Sequence, residues 1–318
     1  MSSPSARPHA RPAILCAGIA VIDHVFAVDR FPQSGTKTRA SDFVSTVGGG
    51  AANAAVAIAR LAGRVKLAAP LGGPSGADSI GDELLARLAR EGVDCSGVSR
   101  VSGTMSSISA IFIDASGERL IVNHRDGKLT QVQPANLDAL VRDVDGVLID
   151  NRFPEFVLPI AQAARRRGLA VVLDADEPTQ RANALLPACS HVIFSAEGLR
   201  AVGECDELAE ALKRVAVRTD AFLAVTDGAN DIMWLETDSV RHMPAFAIDA
   251  VDTLAAGDVF HGAFALALAE GNDIANAMRF AAAAAAVKCT RFGGISGAPS
   301  RAETENFLAA RETGKASC

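Results

Sequence analysis

The feature that most limits the fold is a rhythm along the chain. Short apolar runs at 14–22, 65–69, 144–149, 170–173, 191–194 and 222–225 alternate with longer stretches of helical period at 51–61, 80–91, 154–167 and 206–217. An apolar run without polar alternation is a strand buried on both faces, and such strands belong to parallel sheets covered by helices. The rhythm predicts an α/β chain with a central, mainly parallel sheet and helices on both faces. Gly63, Gly92, Gly168 and Gly271 each follow a periodic stretch, where a left-handed helix end is wanted.

Two segments break the rhythm. Residues 25–47 and 106–123 read as β-rich, with alternation at Ser107-Ile108-Ser109-Ala110-Ile111-Phe112-Ile113 and a turn at Ala115-Ser116-Gly117-Glu118. They predict a small β-sheet inserted beside the main one, a lid over the strand ends where open α/β sheets bind ligands. No repeat or linker divides the chain, so residues 1–318 read as one domain carrying that lid. Exposed lid strands offer edges on which a homodimer could pair.

The composition, 49% hydrophobic and 21% charged, supports a substantial core, and the net charge of −6 comes with scattered basic residues. That distribution argues against a nucleic-acid partner. The six cysteines show no CxxC spacing, as expected of reduced thiols in a cytoplasmic protein. The start of the chain lacks the apolar core of a signal peptide, and no apolar run is long enough for a membrane span.

Three constellations carry chemistry. Gly48-Gly49-Gly50-Ala51-Ala52-Asn53 opens into a helix; glycines admit close backbone approach, and Asn53 suits sugar hydroxyls. Alone, this segment reads more simply as a tight strand-to-helix turn, since glycine-rich turns are common. Asp252-Thr253-Leu254-Ala255-Ala256-Gly257-Asp258 opens a second, more apolar helix. The N–H groups of Ala255, Ala256 and Gly257 would make an anion hole at the positive helix end, with Asp258 beside it to accept a hydroxyl proton. An ordinary N-cap role would explain Asp258 but not the small residues before it. Thr226-Asp227-Gly228 closes an apolar run where a nucleotide phosphate could lie. A Walker A loop and a G-x-G-x-x-G fingerprint after the first strand are both missing, which disfavours P-loop NTPases and dinucleotide-dependent oxidoreductases.

The glycine-rich helix start and the Asp-Thr-Leu-Ala-Ala-Gly-Asp segment, roughly 200 residues apart, together resemble the two signatures of the PfkB, or ribokinase-like, carbohydrate kinases. The resemblance extends from Gly18 and Asp23 to Lys288-Cys289-Thr290-Arg291 and Gly293-Gly294. It implies an ATP- and Mg²⁺-dependent sugar kinase. Asp258 would be the base and 255–257 the anion hole. Asp23, Gly49, Gly50 and Asn53 would bind sugar. Ser195, Glu197, Thr226, Gly228, Ala283, Ala286 and Lys288 would border ATP, and Asp252 would contact a monovalent cation such as K⁺. Within the family, the chain is most similar to the 6-deoxy-6-sulfofructose kinases and ketohexokinase-like enzymes. That branch implies Arg152, Asn123 and a lid lysine, Lys37, for an anionic sugar substituent. A neutral ketohexose fits the same residues, with ribose, fructose and keto-deoxy sugar acids as further alternatives. The competing class is a sugar- or nucleotide-binding protein of this fold without turnover, against which Asp258 argues. Two departures touch the nucleotide side. The family's Asn-x-x-Glu falls at Ser195-Ala196-Glu197-Gly198, and the second glycine after Thr-x-Gly is replaced around Asn230-Asp231.

Overall fold

The computed structural model describes residues 11–176, 181–237 and 239–313. Its strands are β1 (Ala13–Ala17), β2 (Val21–Ala27), β3 (Asp42–Gly48), β4 (Arg64–Ala68), β5 (Pro70–Gly73), β6 (Ser99–Ser102), β7 (Ser107–Ile113), β8 (Arg119–His124), β9 (Gly146–Asp150), β10 (Ala170–Ala175), β11 (His191–Ser195), β12 (Phe222–Thr226), β13 (Ile232–Glu236) and β14 (Ser239–Met243). The helices are α1 (Gly50–Arg60), α2 (Ser79–Arg90), α3 (Leu137–Val141), α4 (Pro154–Arg166), α5 (Arg181–Leu185), α6 (Ala196–Gly203), α7 (Leu208–Ala216), α8 (Ala256–Ala269), α9 (Ile274–Cys289) and α10 (Arg301–Thr313).

The large sheet has the order β14-β13-β12-β11-β10-β9-β1-β4. It is parallel from β12 to β4, and β13 and β14 extend it as an antiparallel hairpin. Successive side chains leave opposite faces of a strand. Ile14, Leu67, Leu148, Val172 and Ile193 accordingly pack with α1, α2, α8 and α9. Leu15, Val147, Ile149, Leu173 and Phe194 pack on the other side, mainly with α4, α6 and α7. Both faces being covered is why these strands read as unbroken apolar runs.

The sequence pattern needs correction in four places. The run at 14–22 is two strands in different sheets, with the chain turning at Gly18, whose φ is +152°. A Cβ there would lie 2.1 Å from Asp150 Oδ2, so only glycine fits; hydropathy cannot register a change of sheet while burial continues. The stretch at 25–47 is not β throughout, because 28–41 form no strand between β2 and β3. The β5–β6 pair and the β13–β14 hairpin are additional to the strands that the pattern predicts; β5 and β6 span only four residues each, and β6 and β14 mix polar and apolar residues. At the end of α1 the left-handed residue is Ala62, at φ +68°, not Gly63; a Cβ on Gly63 would meet Ile58 Cγ2 at 2.7 Å and Leu266 Cδ1 at 2.8 Å.

The second sheet has the order β3-β2-β7-β8. Its register aligns Thr46, Asp23, Ser109 and Asn123 in one polar row across all four strands. On the same face Val25, Ile111 and Ile113 pack against Leu254 and Phe292 from the loops before α8 and after α9. That apolar patch fixes the sheet against the main body and sets the polar row beside the glycine-rich start of α1. Among the described residues, no helix is long and apolar enough to cross a membrane.

Candidate active site

Every parallel strand points its carboxyl end the same way, so the ends of β9 to β12 form one edge. Asp150, Asp174, Ser195 and Thr226 lie at that edge, with Asp174 level with Asp150 and Ser195 level with Thr226. The N-termini of α1 and α8 open beside it, bringing the two distant signatures together.

The pairing that joins them is a side-chain hydrogen bond. Asn53 Nδ2 donates to Asp258 Oδ2 at 2.6 Å, and buried Asn53 Oδ1 has no hydrogen-bond partner. A close helix crossing makes this bond possible. A Cβ on Gly262 would sit 2.8 Å from the Ala54 carbonyl oxygen, so α8 lies directly on the α1 backbone only because residue 262 is glycine. Asp258 is the third residue of α8 and does not cap it; the cap position is Ala255. Burial pushes the Asp258 carboxyl up to about 7, and Asp176 and Asp150 add to the rise while the Asn53 bond and Arg152 oppose it. A carboxyl poised there is divided between base and acid at neutral pH.

Ala255 adopts a left-handed conformation, φ +65° and ψ +10°, which turns the chain into α8. The backbone N–H groups of the helix start are the ones that lack intrahelical acceptors, which suits them to an anion. A left-handed alanine costs roughly 1–2 kcal/mol, part of which returns through the greater unfolded-state freedom of glycine. Ala255→Gly is therefore expected to raise stability by up to about 1 kcal/mol without moving the N–H groups. Urea melts would check it, and a lower midpoint would mean the turn is not strained.

Carboxylates that the sequence pattern did not single out build the rest of the edge. Asp150 Oδ2 accepts from the N–H groups of Ile19 (2.7 Å) and Ala51 (3.1 Å), and Oδ1 accepts from Arg152 N–H (3.0 Å). One buried side chain thus ties the β1–β2 turn, the start of α1 and the end of β9. Arg152 Nη2 bonds Asp176 Oδ2 at 2.6 Å. Asp174 faces His261 Nδ1 at 3.5 Å with both side chains almost wholly buried. Burial raises the Asp174 carboxyl well above its usual range and lowers the His261 imidazole. His261 Nδ1 donates to the Gly257 carbonyl at 2.6 Å, a bond that pins the first turn of α8. The signal for these carboxylates was present: Asp150 and Asp174 each end an apolar run at a strand's carboxyl end, and Asp176 follows just beyond β10.

On the second sheet Asp23 is buried beside the glycine-rich turn, and burial raises its carboxyl to about 6 against a hydrogen bond from Ser109. Gly49 is the N-cap of α1, and Gly50 opens the helix against Asp150 and Asp174. Asn123 shares the polar row but is exposed, and Lys37 lies exposed in the 28–41 loop.

Comparison with known proteins decides the family. The family model of the pfkB carbohydrate kinases matches residues 11–301. The chain belongs to that family. A ribokinase from Haemophilus influenzae is 32% identical over 90% of this chain and 95% of its own length, and one from Bacillus subtilis is 28% identical over 93% and 99%. Among solved structures, a candidate ribokinase from Agrobacterium tumefaciens has a TM-score of 0.90 at 36% identity, covering 95% of this chain and 99% of that one. An ATP-bound fructokinase from Xylella fastidiosa has a TM-score of 0.78 at 25% identity, covering 94% and 99%. The chain is a carbohydrate kinase.

The nucleotide side of this PfkB kinase departs from the family where the sequence does. Ser195 caps α6, its Oγ accepting from Gly198 N–H at 3.0 Å, and Glu197 is exposed in the first turn. A Cβ on Gly198 would stand 2.4 Å from the Ala175 carbonyl oxygen, so the family's glutamate has no room at that position. Among the described residues no group of three acidic, histidine or cysteine side chains has metal-holding geometry. Thr226 is half-buried at the end of β12, and Gly228 takes φ +58° in the following turn. Ala286 is nearly buried and Ala283 wholly so. Lys288, which the resemblance places along ATP, has its ammonium enclosed with Asp252.

Proposed function

We propose that this kinase transfers the γ-phosphate of MgATP to a primary hydroxyl of a small neutral sugar, with Asp258 as the base. The observation that carries the reading is the Asn53–Asp258 pair at the open start of α8. Asp258 Oδ accepts the hydroxyl proton as the hydroxyl oxygen attacks the γ-phosphorus. The bond from that phosphorus to the β-phosphate bridging oxygen breaks, and ADP leaves. The N–H groups at 255–257 stabilise the charge on the transferring group, which is most of what phosphoryl transfer asks of a protein. Asp23, Asn53 and the glycine backbone at 49–50 hold sugar hydroxyls. The ribokinases and the fructokinase among the relatives support a substrate of that size. MgATP brings its metal largely on phosphate oxygens, so few protein carboxylates are required. Thr226 and Gly228 flank its phosphates, and the small sheet closes over the sugar.

A neutral sugar is favoured because Asp176 counters the charge of Arg152. A second reading, 6-deoxy-6-sulfofructose, draws support from Arg125, which lies over the Phe153 ring at 5.1 Å and donates to the Arg152 carbonyl. An ADP-release assay with fructose, ribose, 6-deoxy-6-sulfofructose, fructose 6-phosphate, 2-keto-3-deoxygluconate and adenosine separates them. The neutral reading expects fructose or ribose to lead, with Arg152→Ala changing kcat/KM through orientation alone. A sulfofructose preference that Arg152→Ala abolishes, about 100-fold or more for a lost charge-assisted pair, would overturn it. Silence with every sugar while ATP binds would favour the binding-protein alternative.

The small sheet's other face supports pairing of two copies. Phe26 packs against Phe43 with tilted rings at 4.9 Å and stacks on Phe112 at 5.4 Å, with Phe43, Leu120 and Val122 exposed. Phe43→Asp is expected to shift a dimer to monomer in light scattering; a monomeric parent protein would rule the pairing out.

A further inference from the structure

The PfkB resemblance implies a monovalent cation at Asp252, and the residues around Asp252 do not fit one. Asp252 Oδ2 already accepts from Gly293 N–H at 3.0 Å and Gly294 N–H at 2.8 Å, and Oδ1 accepts from Leu254 N–H at 2.7 Å. Lys288 Nζ lies 3.2 Å from the same Oδ2 and donates to the Asp252 backbone carbonyl at 2.6 Å. The side chains of Lys288 and Asp252 are 0% and 1% exposed. Carboxylate and carbonyl oxygens are the ligands that a hard cation would take, and here both are held by one ammonium.

From this geometry we infer that Lys288 is a built-in replacement for the monovalent cation, so this kinase works without K⁺. Charge balance carries the argument beyond occupancy. Asp252 and Lys288 form a neutral buried pair; adding K⁺ would leave one uncompensated positive charge in a dry site, which proteins avoid. The pair also has a position from which it can act. Asp252 holds the Leu254 N–H immediately before the left-handed Ala255, and its own N–H donates to the Cys289 carbonyl at 3.1 Å. The ammonium therefore ties the end of α9 to the turn that aims the N–H groups at 255–257. Lys288 is a positioning residue: it touches neither sugar nor phosphate and acts through Asp252. Its burial lowers the ammonium pKa, which Asp252 opposes.

The decisive measurement needs no sugar substrate. Thermal melts of the wild-type protein in KCl and in choline chloride of equal ionic strength are expected to coincide, and in Lys288→Ala a K⁺-specific rise in Tm is expected to appear. With a substrate in hand, wild-type kcat should change less than about twofold between the two salts. Lys288→Ala should lose about tenfold or more and recover part of it with K⁺ or NH₄⁺ but not Li⁺. A purely structural lysine would give no such cation-selective rescue. A K⁺-specific rise in wild-type Tm, or wild-type activation of several-fold by K⁺, would overturn the inference even if Lys288→Ala failed to fold. An inactive sugar panel would leave the melting comparison intact, so the two readings fail separately.

Discussion

Asp258→Asn is expected to lower kcat by about 100- to 10,000-fold, the usual contribution of a positioned proton acceptor, while sugar affinity stays near that of the parent. Asparagine keeps the shape and can still bond Asn53, so the loss isolates proton acceptance. The pH dependence gives a second, independent reading. The native carboxyl titrates at about 7 because burial and the neighbouring Asp176 and Asp150 disfavour its charge. Activity of the parent should rise with pH through about 7 as the base ionises. Stability should move the other way. A carboxyl whose pKa is higher folded than unfolded favours folding below its unfolded pKa, and that contribution is lost as pH rises through the folded value. Asp23, raised to about 6, acts in the same direction. Asp258→Asn should therefore be more stable than the parent at pH 8, by on the order of 1 kcal/mol or more, and lose that advantage at pH 4. Turnover within tenfold of the parent, or equal melting curves at pH 8, would remove Asp258 from the role of buried base.

Gly262→Val is expected to be strongly damaging although it lies away from the reacting groups. Its Cβ would lie 2.8 Å from the Ala54 carbonyl oxygen and 3.2 Å from the Ala54 Cα. These are backbone atoms of a helix and cannot swing aside as a flexible side chain would. Separating α8 from α1 should destabilise the fold by about 2–3 kcal/mol, the range for overpacked cores. It should also carry Asp258 away from Asn53, so the folded fraction should lose more than about tenfold in kcat/KM through misplacement alone. Equilibrium urea unfolding, together with kinetics at a temperature where the variant is folded, separates the two effects. Parental stability and turnover would show that the helices need not touch.

These two substitutions also mark the boundary between what could be read from the chain and what could not. Local sequence is enough to specify the strands around Leu148, Val172 and Ile193, because burial on both faces leaves an unbroken apolar run. It also specifies the two helix starts with their small residues, and the likeness to the PfkB signatures rests on those. Sequence likewise locates Asp258, because an acid directly after Ala255-Ala256-Gly257 at a helix start stands beside the N–H groups that would hold a phosphate. The contact between Asn53 and Asp258 is different. It spans 205 residues and depends on α1 lying against α8, which no local periodicity encodes. The break at Gly18 was hidden for the same reason, since both strands it separates are buried. Asp150 appeared in the sequence as the end of an apolar run, and only its three backbone donors from separate segments reveal what it holds together. Lys288 shows the limit most plainly. In the last turn of a helix, a lysine ordinarily reaches solvent or the last carbonyls. It is enclosed here because the loop carrying Asp252 folds over it, and two opposite charges removed from water can persist only beside each other. The chain alone determined the layers, the family and the carboxyl that we propose as the base; tertiary packing decided which polar groups lost their water, and so which of them pair.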